Sequence, residues 1–506
     1  MIKPRKALEN ISPYNTDFYR ENWRLKLDAN ENIYGCANNI LSAIKNINSE
    51  DVSLYPCYGK LLDKISAKFS LNNNNILFSN GADEALNILI NTYLEQEEEL
   101  LSFKPTFSMP TLYAKALGAK TRYIDYDEKY IFSKSKLKEN INNSTKLIYI
   151  ATPNNPTGEV VKASIIESLL NEYKDVLFII DCTYINFSFN VAFEDYIDLA
   201  KKYNNIAIVK SYSKDFAIAG LRFGLTIANE SIISNLKKVI SPYSVNMIAI
   251  NCAMMIISDD KRIEEIKELN HSAKELLEKE LIKAELIPYP SEANFILCDF
   301  KNYCNFYYQK FKNNGIITRK FSDSSLSDCL RITIPTLGGV KFISELLIKK
   351  DVLVFDFEGV IFNSEELLIP KETFEELSKK YDLVIYSNTK EEIAVDLLKK
   401  FEIEKYFNLI CYFDPQSEND SMPDAKGVLN LINNTPNKSI KFFSANLKNI
   451  ICANIAQINT IGVISPNMDS QSAINNYRHL GTGHILHEIK NLEYLLEGIE
   501  KECKEQ

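Results

Sequence analysis

Residues 205–224 read NIAIVKSYSKDFAIAGLRFG, an unbroken apolar run that passes directly into a polar turn. The same pattern occurs twice upstream, where KLIYI (146–150) leads into ATPNNPTG and VLFII (176–180) leads into DCTY. Apolar runs without alternation are typical of strands that are covered on both faces. Because helical patterns separate these strands, the sequence predicts an α/β fold with a mostly parallel sheet.

Polar side chains follow each of the three strands at the point where it ends. Asn154 and Asn155 come after the first strand, Asp181 after the second, and the segment 211–214 after the third. The carboxyl ends of parallel strands lie at one edge of a sheet, and ligands bind beyond that edge. The sequence therefore predicts one site to which all three turns contribute.

Lys214 places an amine in the third of these turns, between hydroxyl groups and an arginine. A protonated amine is a weak nucleophile, and it becomes reactive when burial or nearby cations lower its pKa. Ser211, Ser213 and Arg222 suit the binding of a phosphate. An amine beside a phosphate site fits pyridoxal 5'-phosphate, which carries an aldehyde and a phosphate. The alternative for this segment alone is a surface lysine in a polar turn.

Two further features fit the same cofactor. The segment NGADEALNILINTYL (80–94) has a helical apolar pattern, and its first amides are free donors at the positive end of the helix dipole, which suits a phosphate. Asp181 is a carboxylate that can pair with a protonated pyridine nitrogen. Asn155 and Tyr184 can hydrogen-bond the phenolic oxygen of the same ring.

The order and spacing of these motifs resemble the fold-type I aminotransferases, and most closely their histidinol-phosphate aminotransferase branch, over roughly residues 10–348. The resemblance is carried by LDANEN (27–32), LYPCYG (54–59), GADEAL (81–86), PNNPTG (153–158), DCTY (181–184), SYSKDFAIAGLRFG (211–224), EANF (292–295) and LRIT (330–333). It implies a large domain with a mostly parallel sheet and a small α/β domain, the latter built from the N-terminal segment and about 240–350.

The resemblance also implies a role for each site residue. Lys214 would bind the cofactor covalently and then move the proton between the substrate Cα and the cofactor C4′. Asp181 would pair with the pyridine nitrogen, and Asn155 and Tyr184 would hold the phenolic oxygen. The cofactor phosphate would be held by Ser211, Ser213, Arg222 and the amides of Ala82 and Asp83.

Two positions depart from the family pattern. In KPTFS (104–108), Phe107 stands where the family commonly has a tyrosine stacked on the ring, so stacking is kept and the hydroxyl is lost. DCTY replaces the frequent Asp-Glu-Ala-Tyr, which keeps Asp181 and Tyr184 and leads us to expect little functional consequence.

Four residues are implied to bind the substrate. Arg331 matches the family arginine for the substrate's anionic end, and Arg319 resembles a second anion contact, although either arginine could instead form an ordinary ion pair. Asn30 lies in a segment that lines the pocket. Tyr55 matches a tyrosine that reaches into the neighbouring subunit's site, which implies a homodimer.

The resemblance implies transamination of a phosphorylated amino alcohol or amino acid, with histidinol phosphate as the first candidate. Glutamate and 2-oxoglutarate would be the amino partner. The same branch contains decarboxylases of phosphorylated amino acids, and the sequence alone leaves that alternative open.

The strand and helix pattern restarts near Lys350, which predicts one domain over 1–350 and a second over 351–506. VFDFEGVIF (354–362) resembles the first motif of the haloacid-dehalogenase-like (HAD-like) phosphatases, which implies a Rossmann-like domain with little room for a cap. By this resemblance Asp356 would attack phosphorus and Glu358 would protonate the leaving oxygen. Matches to the second and third motifs are Ser387 and Lys426.

The fourth motif of that family normally supplies acids that hold Mg²⁺. In FFSANLKNI (442–450), Ala445 and Asn449 stand in their place. Because Mg²⁺ screens the phosphate from the attacking carboxylate, we expect a degenerate domain without phosphatase activity. An active phosphatase remains the alternative for this domain, and a regulatory pseudo-enzyme the alternative for the whole chain.

Composition excludes several other classes of function. The net charge is -9 and no long basic run occurs, which argues against nucleic acid and anionic membranes as partners. The ten cysteines are scattered without a CxxC pair, as expected for a cytoplasmic protein without disulfides or a bound metal. The acidic stretch EQEEEL (95–100) is predicted to be a solvated helix end.

Overall fold

The structure is a computed structural model. It describes residues 2–9, 11, 23–127, 129–412, 426–436, 439–466 and 468–505. Packing divides the chain into two compact units. The first contains Met1–Glu21, Leu25–Cys298 and Arg331–Phe342, and the second contains Asn22–Arg24, Asp299–Leu330 and Ile343–Gln506. Residues 299–330 therefore pack with the C-terminal part of the chain, and a division at residue 350 stays a prediction from the sequence.

Nineteen α-helices are described, in chain order. They are α1 (Asn38–Lys45), α2 (Ser49–Ser53), α3 (Gly59–Phe69), α4 (Gly81–Tyr93), α5 (Met109–Leu117), α6 (Lys134–Asn140), α7 (Ala163–Glu172), α8 (Phe193–Lys202), α9 (Glu230–Leu236), α10 (Met247–Ile256), α11 (Asp260–Lys283), α12 (Cys304–Asn313), α13 (Leu337–Leu347), α14 (Lys371–Lys380), α15 (Glu391–Lys400), α16 (Lys426–Asn433), α17 (Leu447–Ile455), α18 (Ser470–His479) and α19 (Leu492–Glu505). Among the residues described, none of these helices is both long and apolar enough to cross a membrane.

Twenty strands are described, in chain order. They are β1 (Leu25–Leu27), β2 (Ile76–Asn80), β3 (Glu99–Lys104), β4 (Lys120–Asp125), β5 (Thr145–Ala151), β6 (Leu177–Asp181), β7 (Ile206–Ser211), β8 (Phe223–Ala228), β9 (Ile287–Pro288), β10 (Phe295–Asp299), β11 (Ile316–Lys320), β12 (Cys329–Thr333), β13 (Val352–Asp356), β14 (Phe362–Asn363), β15 (Glu366–Leu367), β16 (Asp382–Ser387), β17 (Phe407–Tyr412), β18 (Ile440–Ser444), β19 (Asn459–Val463) and β20 (His484–Leu486). The strands predicted at KLIYI, VLFII and NIAIV are confirmed as β5, β6 and β7.

The first unit is organised around a seven-stranded sheet of order β2-β8-β7-β6-β5-β3-β4. Strands β3 to β7 pair in parallel, and β8 pairs antiparallel with both β7 and β2. Alternate residues of β6 enter different apolar clusters, with Ile180 in one and Ile179 in the other. Both faces of the sheet are thus covered, which explains the unbroken apolar runs of its central strands. Strands β12, β10 and β9 lie side by side in that order in a smaller sheet.

The prediction that the whole acidic stretch 95–100 is a solvated helix end is wrong, because its last two residues, Glu99 and Leu100, begin β3. Glu99 is buried, and its carboxylate accepts hydrogen bonds from Arg122 of β4 at 2.8 Å and from the Thr145 hydroxyl at 2.8 Å. These partners lower the pKa of Glu99 against the opposing effect of burial. Because its carboxylate is paired, Glu99 can be buried at the amino end of β3.

The second unit contains a six-stranded parallel sheet of order β17-β16-β13-β18-β19-β20. Counted within the unit from β13, this is strand order 3-2-1-4-5-6, which is typical of doubly wound nucleotide-binding folds. A short antiparallel hairpin, β14 and β15, follows β13. This sheet confirms the strands predicted from DVLVFDFEGV, DLVIYSNT and IKFFSAN.

Helix α12 packs against this second sheet, although it precedes it in the chain by many residues. Lys310 of α12 forms an ion pair with Asp382 at the start of β16, with Nζ 2.8 Å from Oδ1, and both side chains are buried. Asn408 of β17 donates a second hydrogen bond to Asp382 at 2.9 Å. Asn313 donates to the carbonyl of Phe407 at 2.8 Å. The helix is therefore tied to β16 and β17 by buried polar contacts.

Candidate active site

Lys214 lies in the turn after β7, and its amine is aimed at the segment that follows β1. Its Nζ donates a hydrogen bond to the carbonyl of Ala29 at 2.7 Å. Burial, followed by the nearby Arg331 cation, lowers the pKa of Lys214 to about 8. An amine with this pKa is substantially neutral in mildly alkaline solution and can act as a nucleophile or as a base.

Asp181 is the last residue of β6 and is 5% exposed. Its carboxylate accepts hydrogen bonds from the Tyr149 hydroxyl at 3.0 Å and from the Thr183 hydroxyl at 2.6 Å. Burial raises the pKa of Asp181. Because these two partners are neutral, the carboxylate keeps its capacity to pair with a positively charged ring nitrogen.

The N-terminus of α4 and the end of the turn that carries Lys214 approach each other closely. Gly81 has φ +80°, and a Cβ there would lie 2.5 Å from Nη2 of Arg222. A Cβ on Gly224 would lie 2.5 Å from the carbonyl carbon of Gly81. Two glycines are therefore required for the guanidinium and the first turn of the helix to sit side by side. Arg222 also pairs with Asp83, with Nη2 3.0 Å from Oδ2.

One hydroxyl at this position is buried without a partner. The Oγ of Ser213 has no hydrogen bond among the residues that the structure describes, whereas its backbone amide donates to the Ser211 hydroxyl at 3.2 Å. Leaving a buried hydroxyl unpaired costs free energy. The unpaired Ser213 hydroxyl, the Arg222 guanidinium and the first amides of α4 form a donor set suited to a phosphate.

Hydrogen bonds join four of the predicted residues in two pairs. Arg331, 7% exposed, donates from Nη1 to Oδ1 of Asn155 at 2.5 Å and from Nη2 to the carbonyl of Asp28. Asn30 donates from Nδ2 to the hydroxyl of Tyr184 at 3.0 Å. The side-chain nitrogen of Asn155 remains a donor, because its oxygen accepts from Arg331.

The remaining residues predicted in the first 350 positions have different surroundings. Phe107 is half-buried and packs against the apolar cluster that contains the core side of α4. Tyr55 is 76% exposed and stacks on Tyr243 with ring centroids 4.1 Å apart. Arg319 is half-buried in β11 of the second unit, and its place in the site stays a prediction.

Sequence reasoning missed the residues that support Asp181. Tyr149 lies in the apolar run KLIYI, where the pattern predicts only that an aromatic residue packs in the core. Thr183 was regarded as a substitution of little consequence, yet both its hydroxyl and its amide donate to Asp181, the amide at 3.0 Å. A threonine two residues after a strand-terminal aspartate is the signal that could have identified this contact.

The second unit has its own polar cluster at the carboxyl end of β13. Asp356 is buried between β16 and β18, where the strand order reverses. The side-chain nitrogen of Asn449 lies 2.9 and 3.0 Å from its two carboxylate oxygens, and the Ser444 hydroxyl donates to Oδ2. Burial raises the pKa of Asp356 to about 7. Both carboxylate oxygens are thus engaged by neutral donors.

Two of the other three residues predicted for this cluster, Glu358 and Ser387, form hydrogen bonds with Thr389. Glu358 is exposed and accepts a hydrogen bond from the Thr389 hydroxyl at 2.9 Å. Ser387 is buried at the end of β16, and its Oγ accepts from the amide of Thr389 at 3.1 Å. Lys426 is exposed at the start of α16. No group of three or more His, Cys, Asp and Glu side chains suited to a metal ion occurs within the described ranges.

Comparison with known proteins is consistent with this geometry. Residues 24–339 match the family model described as aminotransferase class I and II. Over 344 residues the chain is 33% identical to histidinol-phosphate aminotransferase 1 of Carboxydothermus hydrogenoformans, covering 66% of this chain and 96% of that protein. It is 31% identical to the histidinol-phosphate aminotransferase of Clostridium novyi, covering 65% and 92%.

Solved structures show the same fold. The crystal structure of the histidinol-phosphate aminotransferase from Clostridium acetobutylicum superposes with a TM-score of 0.58 at 24% identity, covering 64% of this chain and 98% of that one. The histidinol-phosphate aminotransferase from Sinorhizobium meliloti, solved in complex with pyridoxal-5'-phosphate, superposes with a TM-score of 0.60 at 18% identity, covering 64% of this chain and 91% of that one. The chain belongs to the aminotransferase class I and II family. It is a pyridoxal-phosphate-dependent aminotransferase, and the amine, carboxyl and phosphate-binding donors described above fit that cofactor.

Proposed function

We propose that this enzyme transaminates a phosphorylated amino alcohol or amino acid, with histidinol phosphate as the first candidate and glutamate and 2-oxoglutarate as the amino partner. The observation that carries the proposal is the amine of the half-buried Lys214, whose pKa is lowered to about 8 by burial and by the Arg331 cation. A guanidinium next to a reactive amine suits a substrate with an anionic end. The names of the relatives support the choice of substrate.

In this proposal the residues of the first unit divide the binding of the cofactor. Lys214 binds it covalently, and Asp181 carries the negative charge that faces its ring nitrogen. Asn155 and Tyr184 donate to its phenolic oxygen, and Phe107 stacks on the ring. Its phosphate is held by Ser211, Ser213, Arg222 and the amides of Ala82 and Asp83. When bound, the cofactor supplies an electron-withdrawing ring that acidifies the substrate Cα proton.

The substrate is positioned by other residues, in the same proposal. Arg331 binds the anionic end of the substrate, and Arg319 contributes a second positive charge. Asn30 orients Tyr184 through the hydrogen bond between their side chains. When not attached to the cofactor, Lys214 would take the proton from the substrate Cα and return it at the cofactor C4′, because an amine with a pKa of about 8 can both accept and give up a proton near neutral pH.

Substrate specificity is tested by offering phosphorylated and unphosphorylated amines to the full chain with 2-oxoglutarate. We expect glutamate to form from histidinol phosphate, with a kcat/KM about 10²-fold above that for histidinol, because charge-assisted bonds to the phosphate are lost in the latter. Equal rates for the two amines would contradict the role of the arginines. Release of carbon dioxide from a phosphorylated amino acid without glutamate formation would instead indicate a decarboxylase.

We further propose that the enzyme acts in the cytoplasm as a homodimer. The exposed pair of stacked rings, Tyr55 and Tyr243, supports a surface that is covered by a second copy. Sedimentation should therefore give twice the mass of the chain, and a monomer at micromolar concentration would contradict this proposal.

For the second unit we propose a HAD-like domain that has lost phosphatase activity. Support comes from the parallel sheet order and from the position of Asp356 at the reversal of that order. The amide of Asn449 and the hydroxyl of Ser444 occupy the carboxylate oxygens that a nucleophile would need. With its pKa raised to about 7, Asp356 is also substantially protonated near neutral pH.

Phosphate release provides the test of this domain. We expect background release of phosphate from p-nitrophenyl phosphate and from histidinol phosphate, and no stimulation by Mg²⁺. Asp356→Asn should leave that background unchanged, because the carboxylate is not acting as a nucleophile. Magnesium-dependent release that disappears in Asp356→Asn would show an active phosphatase.

A further inference from the structure

Asp215, the residue directly after Lys214, joins three separate segments of the first unit. Its side chain is 2% exposed. Oδ2 of Asp215 lies 2.7 Å from Nζ of Lys210 and accepts a hydrogen bond from Asn186 at 2.7 Å. Its backbone carbonyl accepts a hydrogen bond from Asn32 at 3.0 Å. One residue therefore contacts β7, the turn after β6 and the segment after β1.

Each of these segments also carries a group of the active site. Asp181 ends β6 and Tyr184 lies in the turn after it, and Lys210 reaches that turn by donating to the carbonyl of Thr183 at 3.4 Å. The segment after β1 contains Ala29, whose carbonyl accepts from the amine of Lys214. The backbone next to Lys214 is thus fixed relative to both the carboxyl of Asp181 and the acceptor of the Lys214 amine.

We propose that Asp215, through its buried ion pair with Lys210 and its bond from Asn186, is a positioning residue that sets the place of the Lys214 amine for covalent capture of the cofactor and for proton transfer. The reason is geometric, since a reactive group must be held within about 0.5 Å of its productive position. Lys214 has a long flexible side chain, so its reach depends on where the backbone of residues 214 and 215 is held. A buried ion pair is a weak source of stability, and in some proteins it instead fixes a unique geometry.

The test compares Asp215→Asn with Glu99→Gln in the full chain. Both substitutions neutralise a buried carboxylate that pairs with a cation, Lys210 in one case and Arg122 in the other. Glu99 lies at the amino edge of the sheet, away from the carboxyl edge where Lys214 sits. Asp215→Asn should lose more stability than Glu99→Gln, because Lys210 is 1% exposed and Arg122 is 33% exposed. The two variants are therefore compared at a temperature at which both are folded, so that a difference between them reports on position.

The first measurement is the rate at which cofactor-free protein captures pyridoxal 5'-phosphate, followed by absorbance. In this step the Lys214 amine adds to the aldehyde and one water leaves. We expect Asp215→Asn to slow capture about 10-fold and to lower kcat by about 10²-fold with little change in KM. Asp215→Glu, which keeps the charge, should restore part of both rates. Glu99→Gln should match the wild type in both.

Capture and kcat equal to those of Glu99→Gln would overturn the proposal and leave Asp215 a structural residue. If Asp215→Asn does not yield folded protein, Asn186→Ala decides the question, because it keeps the ion pair and removes one hydrogen bond to Asp215. Slower capture in that variant is the expected result, and unchanged capture would overturn the proposal. Failure to find the phosphorylated substrate would not affect this test, since capture requires no substrate.

Discussion

Lys214→Ala is expected to lower kcat by about 10⁴-fold, because it removes both the covalent attachment of the cofactor and the base that moves the Cα proton. The wild-type protein treated with borohydride should gain the mass of the reduced cofactor on the peptide that contains Lys214. The variant should gain none. Its fold should be retained, because within the described part of the chain the amine makes one hydrogen bond, to the carbonyl of Ala29.

Lys237→Ala is the matched control for this prediction. Lys237 is exposed at the end of α9, in the same unit of the chain. Its substitution should leave kcat and borohydride labelling at wild-type values. Labelling that persists in Lys214→Ala would move the covalent site to another amine and contradict the assignment.

Asp181→Asn is expected to lower kcat by about 10²-fold to 10³-fold with a smaller effect on KM. The substitution keeps the size of the side chain and removes the negative charge, as in other sites where one preorganised electrostatic partner is lost. A neutral amide cannot hold a protonated pyridine nitrogen, so the ring withdraws electrons less strongly. The Thr183 hydroxyl and amide, which donate to Oδ1, can donate to the amide oxygen of the asparagine. The Tyr149 hydroxyl, which donates to Oδ2, then faces the amide nitrogen and accepts a hydrogen bond from it.

Asp175→Asn provides the control, at the opposite end of β6. Asp175 is exposed just before the amino end of β6, whereas Asp181 is buried at its carboxyl end. The control should retain wild-type kcat. A shift in the absorbance of the bound cofactor should accompany Asp181→Asn only. Wild-type kcat and an unshifted spectrum in Asp181→Asn would exclude Asp181 as the partner of the ring nitrogen.

The fold of both units could be read from the sequence to a large extent, because buried parallel strands leave unbroken apolar runs. The strand VLFII and the helix opened by Gly81 are examples, and both are observed. The acidic run before Leu100 shows the limit of this approach. Charge alone suggested exposure, whereas Arg122, distant in sequence, pairs with Glu99 inside the sheet and the Thr145 hydroxyl donates a hydrogen bond to it.

The candidate site was predictable where chemistry and strand ends coincide, as for Lys214 and Asp181. It was not predictable where a residue acts through a partner far away in the chain. Asp215 gives no sign in the sequence that it meets Asn32 and Asn186, because these contacts exist only once three segments have folded together. The assignment of cofactor and substrate roles to individual residues stays a prediction until the variants are measured.

The pairing of Lys310 with Asp382 has a consequence for synthesis of the chain on the ribosome. The two residues are 72 positions apart. At a synthesis rate of about 5–20 residues per second, Asp382 is therefore added roughly 4–14 s after Lys310. During that time the face of α12 that carries Lys310 cannot pack against β16 and β17, because these strands have not yet been made. Nascent chains halted before residue 382 should therefore expose this helix to chaperones and proteases, although nearly all of the first unit has already been made.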